Sequence, residues 1–223
     1  MVKTLLILSC LVTFLFQGSA AADELSPILK GIQKKYGDLP GLTVTYTREV
    51  ITRSMSMLGN QVQGDLASGV MYFKPPYRMR LQQETPKPET IVAAGETLWW
   101  YIPDQKRVYE YPSRQFGQEL RLLSDIFHGL VSVEEGFKAT FLGRNPQGDY
   151  EIRLTPVPPW EQVDYIDLTV TSEYDIRTVD IHNQLGSTTR FKLTRISVTR
   201  TFPEDFFKFA IPKGTEVIKE GGQ

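Results

Sequence analysis

Two histidines and scattered carboxylates are the sequence's stock for acid–base or metal chemistry. Asp180 and His182 lie two apart in a segment that alternates like a strand, so they share a face and could exchange a proton. No nucleophile with a motif around it accompanies them, and an outward polar face is the simpler account. His128 ends a helical stretch, where the favourable interaction of a cation with a helix C-terminus suffices as an explanation. Glu161, Asp164 and Asp167 form an acidic run, yet Asp164 and Asp167 fall on opposite faces of a strand, which is wrong for sharing a metal. No G-x-S-x-G, H-E-x-x-H, Walker loop or dinucleotide glycine fingerprint occurs. One Cys excludes a disulfide framework, and two His leave little for a transition-metal site. With 25 Lys+Arg against 26 Asp+Glu, the chain lacks the basic excess that binds phosphate backbones or anionic membrane surfaces. The expectation is therefore no catalytic residue, no metal, no cofactor and no nucleic acid. Aromatic residues are plentiful instead, with 12 Phe, 10 Tyr and 3 Trp.

The N-terminus reads as a leader. Lys3 supplies a positive start, Leu5 to Phe16 is nearly all apolar, and Ala20-Ala21-Ala22 offers small residues before Asp23. A membrane span needs about 18 to 20 apolar residues, more than this run provides. Residues 1–22 are expected to be a signal peptide and 23–223 a single exported domain. Cys10 belongs to the leader, so the mature chain has no thiol, as suits an oxidising periplasm.

Asp23 to Tyr36 has Leu25, Ile28, Leu29, Ile32 and Tyr36 at helical spacing, with Ser26 as N-cap and Pro27 in the first turn. After Gly37 to Gly41 the period becomes two, and Leu42, Val44 and Tyr46 alternate with threonines. A turn is expected around Leu58-Gly59-Asn60. Strands follow at Gly69–Lys74 and Tyr77–Gln82, divided by Pro75-Pro76, which cannot donate to a ladder. In the hairpin Thr90–Ile102, a turn at Ala94-Gly95 pairs Ile91 with Leu98. Ile91, Leu98, Trp100 and Ile102 then share one face, while Thr90, Val92, Thr97, Trp99 and Tyr101 share the other. Both faces are partly apolar, so this sheet is either covered on both sides or lines something besides ordinary core. Arg107–Tyr111 is a further strand. Gln118 to Leu130 returns to helical period through Leu120, Leu123, Ile126 and Phe127. Strands are expected again at Phe137–Leu142, Tyr150–Leu154, Val163–Val170, Arg177–His182, Thr188–Val198 and Phe206–Ala210. About eleven antiparallel strands must curl, since large sheets twist, and the helices would lie inside or across the curl.

Four stretches carry a family resemblance: LTVTYTREV (42–50), GVMYFKPP with RMRL (69–76 and 78–81), Ile91 through LWWYIP (98–103), and FKFAIPKGTEV (207–217). Together they resemble the periplasmic outer-membrane lipoprotein carriers, over nearly all of the mature chain. The resemblance implies an unclosed antiparallel β-half-barrel, mainly β with some α, whose apolar concave face lies under a helical lid. It implies acylated lipoproteins as cargo, taken from an inner-membrane ABC-type extractor and handed to an outer-membrane receptor where the cell has one. It places the acyl-chain cavity at Tyr46, Val50, Met71, Phe73, Met79, Leu81, Ile91, Leu98 and Trp100. The lid falls on Leu25, Ile28, Leu29 and Ile32 and on Leu120, Leu123, Ile126 and Phe127. A monomeric, non-enzymatic transport chaperone of the periplasm is expected.

One position departs from the pattern. The family's lid is held by an Arg just before the strand-ending Pro, bonded to helix carbonyls; here that place is Pro75. Lys74, Arg78 and Arg80 are the available substitutes, but parity turns Arg78 and Arg80 away from Met79 and Leu81. Two other readings stay open: a periplasmic regulator on the same half-barrel, which would usually carry a further C-terminal domain, and a hydrolase built on His182 and Asp180.

Overall fold

The computed structural model describes residues 19–57, 64–113, 118–130 and 133–219. Most of the expected leader and the turn at Leu58-Gly59-Asn60 lie outside these residues, as does the side chain of Leu120. The strands are β1 (Leu42–Ile51), β2 (Asp65–Lys74), β3 (Arg78–Thr85), β4 (Glu89–Ala94), β5 (Thr97–Ile102), β6 (Arg107–Pro112), β7 (Phe137–Arg144), β8 (Tyr150–Pro156), β9 (Tyr165–Val170), β10 (Ile176–His182), β11 (Thr188–Val198) and β12 (Glu216–Lys219). The helices are α1 (Ser19–Tyr36), α2 (Arg53–Met57), α3 (Gln118–Phe127) and α4 (Val133–Gly136).

All strands belong to one 12-stranded sheet in the order β12-β6-β5-β4-β3-β2-β1-β11-β10-β9-β8-β7, which does not close on itself. Every neighbouring pair is antiparallel except β12 with β6. About eleven strands are expected and twelve are present, with one expected segment replaced by another. Phe206–Ala210 alternates like a strand but begins in a turn and joins no ladder, while β12, from Glu216 to Lys219, is a strand. The Phe206 and Phe209 rings are used differently: Phe206 packs edge-on to Tyr72, and Phe209 packs on Trp99 and Tyr101. That explains the doubly apolar hairpin. The outer face of β2 to β5 is roofed by the C-terminal segment, and Val92 on that face is 1% exposed.

The hairpin turn is Gly95-Glu96, so Ile91 pairs with Trp100 and Leu98 with Ala93, one turn residue later than expected. Moving the turn by one residue changes partners by two positions, so each side chain keeps its face. Gly95 sits at φ +71, the left-handed conformation such a tight turn demands. Between β2 and β3 the chain turns through Pro75, Pro76 and Tyr77, as the two prolines require.

Helix α1 begins earlier than its capping pattern predicts, and Pro27 lies inside it. Ser26 is therefore not its N-cap. Ala20, Ala21 and Ala22 are strong helix formers and extend the helix backward.

On β8 to β11 the outer face is a polar ladder. Arg153, Asp167, Asp180, Arg190 and Glu49 stand opposite one another on five consecutive strands. Arg153 bonds both oxygens of Asp167 at 2.8 Å, and Arg190 grips Asp180 at 2.6–3.1 Å. The two carboxylates that face each other each have an arginine, which offsets their repulsion.

Helix α1 is docked at its C-terminal end. Lys35 pairs with Asp175 and donates to the Glu173 carbonyl, and the Tyr36 hydroxyl accepts from the Ile176 amide at 3.3 Å. The Tyr174 ring lies flat against Gly31, where an added Cβ would come within 2.2 Å of it. Burial pushes the Tyr36 and Tyr46 hydroxyls up from 10.0 to about 12. The unfolded chain then loses these protons first, so their stabilising contribution is present below pH 10 and is lost as pH rises toward about 12. Tyr36→Phe is expected to cost about 1 kcal/mol at neutral pH by orphaning the Ile176 amide. Denaturant titrations should show this deficit shrinking between pH 10 and about 12; a deficit independent of pH contradicts the assignment.

Candidate functional site

The inner face is continuous in composition. From β1, Leu42, Val44 and Tyr46 stand opposite Phe73, Met71 and Gly69 of β2, and these opposite Met79, Leu81 and Gln83 of β3. On the other side, Phe191, Val179 and Leu168 extend the same surface across β11, β10 and β9. The strand parity that sorts these residues puts apolar side chains inward and the charged ladder outward.

Of the expected cavity residues, Tyr46, Met71, Phe73, Met79 and Leu81 lie in one buried cluster, with Ile91 packed against it. Leu98 is buried on the same face beyond that cluster, and Val50 and Trp100 are half-buried there. Of the expected lid residues, Ile28, Ile32, Leu123, Ile126 and Phe127 belong to the same cluster, and Leu25 and Leu29 pack on it. Sheet and helices therefore meet directly. A pocket of about 120 Å³ lies at the Leu42 end, lined by Leu39, Leu42, Phe73, Pro75, Phe127 and His128. Drug-sized ligands occupy about 300–1,000 Å³, so this pocket could take a long acyl chain only if the helices moved off the sheet.

Leu122, Leu123, Ile126 and Phe127 of α3 are all buried in this cluster. Phe127 lies 4.7 Å from the Phe73 ring and edge-on to Tyr36 at 6.4 Å, joining sheet, α3 and α1. The ends of α1 and α3 approach at Gly37 and Gly129. Gly129, at φ +76, leaves only 2.9 Å between a notional Cβ and the Gly37 nitrogen. Neither arginine considered as a substitute lock reaches the lid. Arg80 donates to the Phe206 carbonyl at 3.1 Å on the outer face, and Arg78 to the Pro75 carbonyl at 3.4 Å.

His182 and Asp180 share the outer face but not a hydrogen bond. Asp180 is held by Arg190, while His182 stacks on Tyr165 at 4.3 Å, with Asp167 3.6 Å from its Nε2. Desolvation is the largest influence on this imidazole and lowers its pKa. It is a half-buried member of the polar ladder. Among the described residues no group of three or more His, Cys, Asp or Glu side chains could hold a metal ion.

Sequence reading missed the polar end of the inner face. Arg48 and Gln83 follow Tyr46 and Leu81 by two positions and so share their face, and Trp100 donates to Glu89 at 2.9 Å. Parity was the available signal; attention to apolar residues alone passed over it.

Because the Phe127 ring belongs to α3 and packs it on Phe73, whereas the last residues of α1 are also held through Lys35 and Tyr36, truncating that ring should loosen the helices unequally. Phe127→Ala is expected to speed amide exchange in Gln118–Phe127 more than in the last turns of α1, with a global cost of about 3 kcal/mol. Equal acceleration in both helices contradicts this division.

Residues 57–210 match the family model described as outer membrane lipoprotein carrier protein LolA. An outer-membrane lipoprotein carrier protein from Nitrosospira multiformis is 30% identical over 69% of this chain and 73% of its own length. One from Hahella chejuensis is 25% identical over 91% of this chain and 90% of its own. Among solved structures, an uncharacterized conserved protein from Thermus thermophilus superposes with a TM-score of 0.55 at 12% identity, covering 88% of this chain and 99% of that one; this likeness concerns the fold. The matched segment takes in β2 to β11 and α3, which carry most of the inner face, and the chain belongs to the outer membrane lipoprotein carrier protein LolA family.

Proposed function

We propose that this protein is a periplasmic carrier that shelters the acyl chains of lipoproteins between its inner sheet face and its helices and moves them from the inner to the outer membrane. The observation that carries the reading is the continuous apolar inner face under α1 and α3, in a chain of this family. Residues 1–22 act as the export signal and 23–223 as one carrier domain. The protein works as a monomer and without catalysis. An ATP-driven extractor in the inner membrane supplies the cargo, and a receptor at the outer membrane takes it where the cell has one.

The physical need is set by water. Each exposed methylene of an acyl chain costs about 0.8 kcal/mol, so a lipid-modified protein cannot cross an aqueous compartment unshielded. In the unloaded state the same demand falls on the protein, whose inner face is satisfied by Ile32, Leu123, Ile126 and Phe127. Loading then exchanges one apolar covering for another. The net affinity is the difference between the two, which keeps it low enough for release to a tighter acceptor. Tyr46, Val50, Met71, Phe73, Met79, Leu81, Ile91, Leu98 and Trp100 receive the chains, and the unbranched thioethers of Met71 and Met79 repack around chains of different length.

The purified protein is expected to form a soluble one-to-one complex with an acylated lipoprotein, seen by native mass spectrometry. Trp100→Glu, at a half-buried position, and Leu81→Glu should abolish it. Equal binding of the same lipoprotein lacking its acyl chains would sink the carrier reading.

A further inference from the structure

The inner face changes character toward the Ile51 end of β1. Leu42, Val44 and Tyr46 are buried, whereas Arg48 and Val50, next on the same face, are half-buried. Arg48 stands opposite Ala67 on β2 and Phe191 on β11. Across β2, Ala67 and Gly69 present almost no side chain, and the guanidinium reaches Gln83 of β3, its Nη2 donating to Oε1 at 3.4 Å. Gln83 is 6% exposed, and its Nε2 donates to the Lys87 carbonyl at 2.9 Å, which turns its oxygen toward Arg48.

That bond occupies Nη2 and leaves Nε unused. Arg48 Nε is buried with no hydrogen-bond partner, and among the described residues no carboxylate comes within 4.0 Å of the guanidinium. The one inward carboxylate of β4, Glu89, accepts from the Trp100 indole. A desolvated donor without an acceptor is costly, and a guanidinium has only donors to offer. Its position, between apolar interior and solvent, is where the polar end of a ligand would lie if the tails ran along Tyr46, Met71 and Leu81.

Resting on the carrier reading, we propose that Arg48 is an anchoring site for the acyl ester carbonyls of the cargo's lipid group, with Nε and the terminal nitrogens donating to them. The neighbouring charges favour a neutral acceptor over a phosphate. A phosphate held by one arginine would lie close to the Glu89 carboxylate and the Gln83 oxygen, whereas an ester carbonyl accepts the same hydrogen bonds without bringing a second negative charge. The apolar face sets how strongly tails bind; Arg48 sets how far they slide in and selects acyl esters from other hydrocarbon chains.

Two lipopeptides test this by fluorescence anisotropy: one whose N-terminal cysteine carries an S-glyceryl group esterified with two palmitoyl chains, and its counterpart with two ether-linked alkyl chains. The wild-type protein is expected to bind the ester form about tenfold or more tightly than the ether form, the range of a hydrogen bond to a charged donor. Arg48→Met, which keeps the aliphatic stem, should bind both forms equally, near the wild-type affinity for the ether. Absence of ester preference in the wild type overturns the proposal, as does its survival in Arg48→Met. Should that variant not fold, the wild-type comparison decides alone. A phosphatidylglycerol that competes better than the ester lipopeptide would also overturn it, by making phosphate the preferred group. Ester preference through Arg48 combined with indifference to acylation of a whole lipoprotein would sink the carrier reading and leave this site standing.

Discussion

An unclosed sheet with an apolar inner face must keep that face from water. A closed barrel does so by pairing its ends, but here β12 and β7 remain separate and the covering comes from two helices. The contact that completes the cover is Phe127 against Phe73 and Tyr36. Aromatic pairs of this kind add about 0.5–1.5 kcal/mol each beyond their area burial. That is enough to hold a helix in place and small enough to be exchanged for a ligand's apolar surface. Polar bonds hold the C-terminal end of α1 through Lys35 and Tyr36, and α3 contributes Leu122, Leu123, Ile126 and Phe127 to the buried cluster.

The two faces of the sheet divide the work. Inside, parity selects aliphatic and aromatic residues; outside, the β8 to β11 half is finished with paired charges and the β2 to β5 half with the aromatic C-terminal segment. With the outer face secured by these contacts, movement of α3 need not disturb the sheet. The place where a family arginine would bond the helix is instead Pro75, in a turn next to the pocket beneath Phe127.

Much of this was legible in the sequence because strand alternation is a strong signal. The faces of β1, β3 and the β4–β5 hairpin came out correctly even though the hairpin turn was placed one residue early, since such a slip preserves parity. The expected lid residues Ile28, Ile32, Leu123, Ile126 and Phe127 all meet the sheet. The misses have specific causes. Phe206–Ala210 reads as a strand because Phe207 and Phe209 flank Lys208, but Phe207 packs on Phe202 and Phe209 on Trp99, a tertiary demand that imitates strand period. Ser26-Pro27 looks like a helix start, but the preceding alanines continue the helix past it. The partner of Asp180 is Arg190, across the ladder, and spacing along one strand cannot reveal a cross-strand partner. Arg48 was passed over because a charge at the end of an apolar alternation reads as the end of the strand's buried part.

The central claim is that acyl chains lie on the inner face, where the helices lie in their absence. A lipopeptide bearing a photoactivatable diazirine at the end of its acyl chains tests this most directly, with the labelled residues identified by mass spectrometry. The account predicts labels on Met71, Phe73, Met79, Leu81 and the inward side of α3, and few on the outer face. Labels concentrated on Trp99, Tyr101 or Phe209, or spread without preference over the surface, would contradict it.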